Sequence, residues 1–401
     1  MKRVLFVDDE KNVLDGIRRM LYSSRDRWEL EFAASGAAAL ALCEERHFDV
    51  VVSDLRMPGM DGAELLGHIR RRYPATARVI LSGYSEAALT ARAVSVAYRV
   101  LTKPCNANEL KETLDRLCTL QDVLCTPALR KVVGEVGELP TLSRTYEALS
   151  SALAAPSPDT RIISGIIEQD VAMSAKVLQL VNSGFFGLTN RVTNLTHAVN
   201  YLGMETLRTL VLYSDTFKAF PPGKGIPQQF YDRLHEHSLR TARIAAALPV
   251  KLDSRSRELA ITAGLLHDIG SLVLAAAVPG DLLAVFARMA EQGISQAEAE
   301  EQIFGISHAE IGAYLLGLWG IDHVIIEAIA HHHQPERVKH NELDCTGAVF
   351  LADLLSHEIT EHPEDNAGNS LSDANKSHLQ ALGMEFAYPE YRASASAALQ
   401  S

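Results

Sequence analysis

The chain is predicted to fold as a doubly wound parallel α/β sheet followed by an all-α helical domain. Three observations predict this. Four short apolar runs occur in the first 105 positions: Val4-Leu5-Phe6-Val7, Val50-Val51-Val52, Val79-Ile80-Leu81 and Val100-Leu101. They are continuous rather than alternating, as strands buried on both faces are. Helical patterns lie between them, as at 13–21 and 37–45, and repeated strand–helix alternation gives a doubly wound sheet. From Leu139 onward the strand-like runs stop, and Ala-, Leu- and Glu-rich segments with apolar residues at helical spacing take over.

Each strand run is followed closely by polar residues: Asp8 and Asp9, then Asp54, Ser82 and Lys103. The C-terminal ends of parallel strands share one edge, where ligands bind. Three carboxylates, a hydroxyl and an ammonium therefore meet there. Crowded carboxylates favour a hard cation such as Mg²⁺. A phosphoryl group in transit spreads charge over its equatorial oxygens and needs a metal ion, a fixed ammonium and a hydroxyl around it. The expected roles are Asp54 as phosphoryl acceptor, Asp8 and Asp9 as Mg²⁺ ligands, and Ser82 and Lys103 on the phosphoryl oxygens. A single acidic residue at a strand end reads as a turn former. Five residues of these types at successive strand ends do not.

A helix near 108–120 closes the first domain, residues 1–120. Residues 121–138 read as a linker that continues the helix until Gly134 and Gly137 interrupt it. A second domain, 139–360, opens on a helix between Leu139-Pro140 and Pro156-Ser157-Pro158. Helices follow at 162–169 and 172–181, a loop at Pro221-Pro222-Gly223-Lys224-Gly225, and helices at 228–248, 256–266, 281–292, 298–304, 308–318, 324–332 and 348–357. Residues 361–401 show little apolar periodicity and are expected to form a loosely ordered tail.

The net charge of −12 gives no sequence-independent attraction to nucleic acid. No Lys/Arg-rich block in the second half reverses that. Met1-Lys2-Arg3 runs straight into a strand, unlike a signal peptide, and no apolar stretch is expected to span a bilayer. The five cysteines, Cys43, Cys105, Cys118, Cys125 and Cys345, show no metal or redox spacing and suit a reducing cytoplasm. The expectation is a cytoplasmic protein with neither nucleic-acid nor membrane partners.

The second half also concentrates histidine: His237, His267-Asp268, His308, His331-His332-His333, with Asp353. Imidazole and carboxylate form the ligand set for Zn²⁺, Mn²⁺ or Fe²⁺. Adjacent His267 and Asp268 are expected to hold one metal, or to let Asp268 bridge two, and two-metal sites hydrolyse phosphate esters. Only a bundle interior gathers ligands this far apart in sequence. The competing reading is a set of hydrogen-bonded core or surface histidines. His235, His340, His357, His362 and His378 are assigned to that class.

Two resemblances sharpen these expectations. Val7-Asp8-Asp9-Glu10, Ser53-Asp54-Leu55-Arg56-Met57-Pro58-Gly59-Met60-Asp61-Gly62, Leu81-Ser82-Gly83 and Thr102-Lys103-Pro104 are similar to the motifs of a two-component response-regulator receiver domain. The likeness covers roughly residues 1–120 and implies a five-stranded sheet. It further implies that Asp54 takes a phosphoryl group from a sensor histidine kinase. Asp9, Asp54 and the Arg56 backbone carbonyl would hold Mg²⁺, and Lys103-Pro104 would be a cis peptide. The family often places an aromatic switch residue three positions before the lysine. That position is Val100, with Tyr98 two residues earlier.

The run from Ile167-Glu168-Gln169-Asp170 to Gly184-Phe185-Phe186-Gly187 resembles the HDOD domain. So do Asn194-Leu195-Thr196-His197-Ala198-Val199-Asn200-Tyr201-Leu202-Gly203, His267-Asp268-Ile269-Gly270, Phe304-Gly305-Ile306-Ser307-His308 and His332-His333-Gln334-Pro335. HDOD domains are all-helical relatives of HD phosphohydrolases and HD-GYP cyclic-di-GMP phosphodiesterases, most regarded as signalling modules without demonstrated catalysis. Carried over by residue, His237, His267, Asp268 and Asp353 match one metal position. His308 and His332 match a second that shares Asp268, with His333 beside them. Three positions depart from the catalytic relatives: Pro335-Glu336-Arg337 stands in place of Gly-Tyr-Pro, Ser271 in place of a lysine, and Arg233 in place of a glutamate ligand.

The resemblance implies a response regulator whose output domain acts by protein–protein contact, on an unidentified signalling protein such as a cyclic-di-GMP enzyme, or through a homodimer. The alternative is a metal-dependent phosphohydrolase or cyclic dinucleotide phosphodiesterase under receiver control.

Overall fold

A computed structural model describes residues 1–24, 26–83, 96–104, 106–123, 133, 143–155, 158–182, 191–204, 206–207, 225–249, 252–338, 343–359, 379–380 and 387–400. The N-terminal part is a five-stranded parallel sheet in the order β2-β1-β3-β4-β5. The strands are β1 (Lys2–Val7), β2 (Trp28–Ala33), β3 (Val50–Asp54), β4 (Ala77–Ser82) and β5 (Arg99–Thr102). The four apolar runs form β1, β3, β4 and β5, and β3 is buried along its whole length. The residue pattern alone did not show β2. It is an edge strand, Trp-Glu-Leu-Glu-Phe-Ala, and mixes buried with exposed positions.

The strand order reverses direction between β1 and β3. Asp8 and Asp54 therefore emerge side by side at the switch point of the sheet. Helices Lys11–Met20, Gly36–Glu45, Gly62–Arg72 and Ala107–Val123 accompany the sheet. Asp61 caps Gly62–Arg72 by accepting from the Glu64 amide at 2.8 Å. A Cβ on Gly62 would lie 1.9 Å from the Asp54 carbonyl oxygen, so only glycine lets this helix start against the phosphoacceptor strand.

The C-terminal part is helical. Its ends are set by side-chain caps from Asp159, Asp170, Asn194, Asp253, Ser295 and Asp322. Gln228–Ala247, Ser254–Leu266, His308–Trp319, His323–His331 and Cys345–Ile359 pack around one core. Observed bounds lie within about three residues of the sequence expectation for most helices. Two expectations need correction. Residues 361–401 include the helix Tyr388–Gln400, which buries Tyr391 and Ala395 and packs on Gln228–Ala247 and Cys345–Ile359; its small residues disguised the packing face. Ser254–Ala277 does combine the length and hydropathy of a membrane span. It is core instead: 83% of its most apolar window is buried, and His267-Asp268 breaks it into Ser254–Leu266 and Ile269–Ala277.

Candidate functional site

At the sheet edge, Asp8 and Asp54 are buried to 1% and 6% exposure. The Lys103 ammonium pairs with both, at 2.6 Å from Asp8 and in direct contact with Asp54. The Arg56 amide donates to Asp54 Oδ2 at 2.8 Å and the Glu10 amide to Asp8 Oδ1 at 2.9 Å. Lys103 reaches this pocket because its amide bonds the Ser82 carbonyl at 2.7 Å, extending the β4–β5 ladder by one rung. Ser82 is itself buried beside it. Asp9 and the Arg56 side chain are exposed at the same edge. Burial pushes the Asp54 carboxyl up, and Lys103 opposes it. Burial lowers Lys103, but the two aspartates outweigh it, so its pKa is raised. The result is a fixed cation against two carboxylates. The Lys103-Pro104 peptide is cis. Tyr98 is buried under the Arg78 guanidinium, 4.3 Å from its ring centroid, and Val100 is core.

The second constellation is assembled completely. Asp268 sits at the break in the Ser254–Ala277 stretch, between two sets of imidazoles. Its Oδ2 lies 3.7 Å from His237 Nε2 and 3.4 Å from His267 Nε2. Its Oδ1 lies 3.1 Å from His308 Nε2 and 3.8 Å from His332 Nε2. Asp353 closes the first set, 2.9 Å from His237 and 3.7 Å from His267. His333 closes the second, with its Nε2 2.9 Å from that of His308.

The outward nitrogens are tied down. His267 Nδ1 meets the Gly264 carbonyl and His332 Nδ1 the Ile329 carbonyl, both at 2.7 Å. His308 Nδ1 meets Glu300 at 2.7 Å, and His237 Nδ1 meets Ser356 at 3.2 Å. Each bond turns an Nε2 inward, the arrangement that second-layer partners impose on metal-binding histidines. His332 Nε2 is buried with no hydrogen-bond partner among the described residues. An orphaned nitrogen aimed at converging donors fits a divalent cation. His237-His267-Asp268 and His308-His332-His333 each bring three donor atoms within 4.8 Å of one another.

Electrostatics separate the cluster into two kinds of imidazole. Burial, then the neighbouring His267, drives His332 down to about 3. Burial also lowers His237, and drives His333 well below the usual range. Burial likewise opposes protonation of His267 and His308. Asp268 nevertheless raises His267 to about 9, and Glu300 with Asp268 holds His308 well above its ordinary value. Burial would raise Asp268 and Asp353, but the imidazoles hold both well below the usual carboxylate range.

A cavity of about 420 Å³ opens over the cluster, lined by Phe230, Phe286, Arg233, Arg240 and Ser271. Ser271 does not replace the missing lysine. It accepts from Gln296 at 2.9 Å, which also donates to Glu300 at 2.8 Å, so Ser271 ends a chain that steadies His308. Cationic side chains come instead from the Gln228–Ala247 helix. The structure corrects the assignment of His357: it lies 3.3 Å from Asp353, 4.4 Å ring-to-ring from His237, and lines the cavity. Its position four residues after Asp353 was the available signal. Glu300, fully buried, was missed too, within a Glu-rich run that reads as solvated. His235 behaves as a core residue, bonded to the Tyr231 carbonyl. His340, His362, His378 and Phe185-Phe186 lie outside the described residues.

Close helix approach holds the two halves of the cluster together. A Cβ on Gly270 would lie 1.9 Å from the His308 carbonyl oxygen and 2.8 Å from the Gly312 nitrogen. Gly270→Ala is expected to push Ile269–Ala277 away from His308–Trp319, costing about 1–3 kcal/mol as overpacking does. Thermal unfolding of the metal-free protein checks it, and an unchanged midpoint contradicts the close packing.

Comparison with known proteins gives two family matches: a response regulator receiver domain over residues 4–115 and an HDOD domain over residues 139–335. An uncharacterized protein of Treponema pallidum is 28% identical over 223 residues, 53% of this chain and 42% of that one. A response regulator receiver protein of Anaeromyxobacter is 35% identical over 105 residues, 26% of this chain and 43% of that one. The chain spans less than half the length of these relatives. Among solved structures, the receiver domain of an HD domain-containing protein from Pseudomonas fluorescens is 33% identical, covering 30% of this chain and 97% of that one, with a TM-score of 0.29. A virulence factor of Campylobacter jejuni shares the fold at 20% identity, covering 66% and 94%, with a TM-score of 0.50.

Proposed function

The chain belongs to the response regulators, joining a receiver domain to an HDOD domain, and from that premise we propose that a phosphoryl group on Asp54 controls a two-metal phosphoester-hydrolysing centre in the helical domain. A receiver domain in general takes its phosphoryl group from a histidine kinase. Here Asp54 accepts it, Asp8, Asp9 and the Arg56 carbonyl serve Mg²⁺ together with Asp54, and Lys103 and Ser82 hold the phosphoryl oxygens.

One observation carries the output half of the reading: Asp268 presents one oxygen to each of two imidazole sets whose Nε2 atoms converge. His237, His267 and Asp353 would hold one Mn²⁺, Fe²⁺ or Zn²⁺ ion, and His308, His332 and His333 a second. Cations held there would supply Lewis-acid polarisation of a phosphoryl oxygen and a water made acidic at neutral pH. The chain's own residues do the rest. Ser356 and Glu300 fix the His237 and His308 rings. The Phe230 and Phe286 side chains wall the cavity and limit water. Arg233 and Arg240 offer positive charge to the non-reacting phosphate oxygens. These arginines answer the objection raised by Ser271.

A second reading, a docking module that acts by contact alone, draws support from the turn at Pro335–Arg337 where the catalytic relatives carry Gly-Tyr-Pro. Assays of purified protein with Mn²⁺ or Fe²⁺ on cyclic dinucleotides, nucleotides and bis(p-nitrophenyl) phosphate separate the two. Metal-dependent turnover is expected; metal-loaded protein without turnover supports docking.

Metal binding should also release protons. His267, raised to about 9, and His308, held well above its ordinary value by Glu300 and Asp268 against the cost of burial, must both deprotonate to serve as ligands. Mn²⁺ affinity is therefore expected to rise from pH 6 to pH 9, by up to about tenfold per unit for each proton displaced. Calorimetry in buffers of different ionisation enthalpy measures the protons released. A pH-independent affinity contradicts the assignment.

A further inference from the structure

The cavity over the metal cluster has two chemically distinct ends. Its polar end holds the imidazoles and carboxylates, with Arg233 and Arg240 flanking His237 along one helix. The Arg240 guanidinium donates to Ser356 Oγ at 3.5 Å. The other end is built by the first turns of Gln228–Ala247 and by one face of Pro279–Gln292. Phe230 and Leu234 stand one turn apart on the first helix. Leu283, Phe286 and Met289 recur every three residues on the second, and all five side chains line the cavity. The Phe230 and Phe286 rings meet at 5.5 Å between centroids, tilted by 48°. Among the described residues at this end, only Gln229 carries a side-chain hydrogen-bonding group.

These apolar side chains are only partly covered. Phe230, Phe286 and Met289 are half-buried, and Leu283 is 40% exposed. A helix at a protein surface ordinarily turns polar residues outward; this one turns a leucine, a phenylalanine and a methionine toward a cavity. The same hairpin also serves the cluster. Gly293 takes a left-handed φ of 65°, and Ser295 starts Gln296–Phe304 with a capping box. The two helices pack against each other. The second carries Gln296, bonded to Ser271, and Glu300, bonded to His308. The apolar wall and the residues that steady the second imidazole set therefore belong to one rigid unit. A body held against the wall is held at a fixed place beside that set.

We propose that this apolar end is a subsite for the organic group of the substrate, so that the phosphoester taken by the cluster carries an apolar aryl or alkyl body rather than a sugar or a nucleoside. The place of the phosphate rests on the two-metal reading; the apolar subsite is additional to it. Hydrocarbon seated there covers Leu283, Phe286 and Met289 and gains hydrophobic burial. A ribose or a base edge seated there loses water from its polar atoms and meets no side-chain partner but Gln229, which disfavours it. Arg233 and Arg240 keep the charged head at the polar end.

The test compares two phosphonates with the same head and different bodies, benzylphosphonate and methylphosphonate. Calorimetry on Mn²⁺-loaded full-length protein measures each affinity. Benzylphosphonate is expected to bind at least about tenfold more tightly, which is about 1.4 kcal/mol. Phe286→Ala should bring that ratio below about threefold, because most of the ring's cover is lost. Leu283→Asn, on the exposed rim where folding is not at stake, should lower the ratio in the same direction. Ile162→Asn, 59% exposed on Thr160–Glu168 and outside the cavity lining, should keep the wild-type ratio. Equal affinities for the two phosphonates overturn the subsite and leave the two-metal reading standing. Tighter binding of adenosine monophosphate than of benzylphosphonate overturns it as well, in favour of a nucleotide. If neither phosphonate binds, the phosphate site is lost, and the two-metal reading falls together with the proposal.

Discussion

Asp268→Ala is expected to strip both metal ions from the helical domain and lower phosphoester turnover by about a thousandfold, roughly 4 kcal/mol of transition-state stabilisation. Asp268 reaches two imidazoles with each of its oxygens, whereas Asp353 reaches the second set only through Oδ2, 3.9 Å from His333 Nδ1. Removing His237 spoils one set; removing Asp268 takes a carboxylate oxygen from both and leaves six ligands around a gap. The metal-free protein should respond as well, with a defined sign. His267 has its folded pKa raised to about 9, chiefly by Asp268 against the cost of burial. A raised histidine contributes stability that is full below its unfolded value of about 6.5 and lost as pH climbs through the folded one. The stability deficit of Asp268→Ala should accordingly be largest near pH 6 and shrink toward pH 9. Elemental analysis reads the first effect and urea unfolding across pH the second. A variant that keeps one metal equivalent shows that Asp268 is not shared.

The second large effect is expected at the sheet edge. Asp54→Asn should reduce acid-labile labelling by acetyl phosphate to background, while Asp8→Asn should keep the acceptor and weaken Mg²⁺ dependence instead. The distinction rests on position. Asp54 ends β3, the central buried strand, and bonds the Arg56 amide and Lys103 together. Asp8 spends one oxygen on the Glu10 amide and the other on Lys103. Mass spectrometry after borohydride trapping locates the label. Label that survives in Asp54→Asn moves the acceptor to Asp8 or Asp9 and removes the basis for control from Asp54.

How far the residues alone reveal this arrangement depends on which environments leave a pattern. Strands buried on both faces are uniformly apolar, so β1, β3, β4 and β5 could be read directly, and with them the polar residues at their ends. β2 is an edge strand whose glutamates pair with Arg3 and Arg46 on the surface, so its pattern is diluted. His267-Asp268 stood out because two polar groups interrupt a long apolar run, and such groups are tolerated in a core only when satisfied. Glu300 gave no such sign. It stands in the run Glu298-Ala299-Glu300-Glu301-Gln302, and only the folded chain shows it at 0% exposure holding both the His308 amide and ring. His357 carried a weak signal, one helical turn from Asp353. Arg99 carried none: an arginine opening a strand reads as a solvated edge, yet here it is half-buried and donates to the Trp319 carbonyl at 3.4 Å.

The most direct test of the account is the metal stoichiometry of purified full-length protein, taken with Mn²⁺-dependent turnover before and after acetyl phosphate. The account predicts two divalent ions per chain, turnover that requires both, and a rate that changes on phosphorylation of Asp54. Protein that binds no divalent ion at the His237–Asp268–His308 cluster under any loading condition contradicts it.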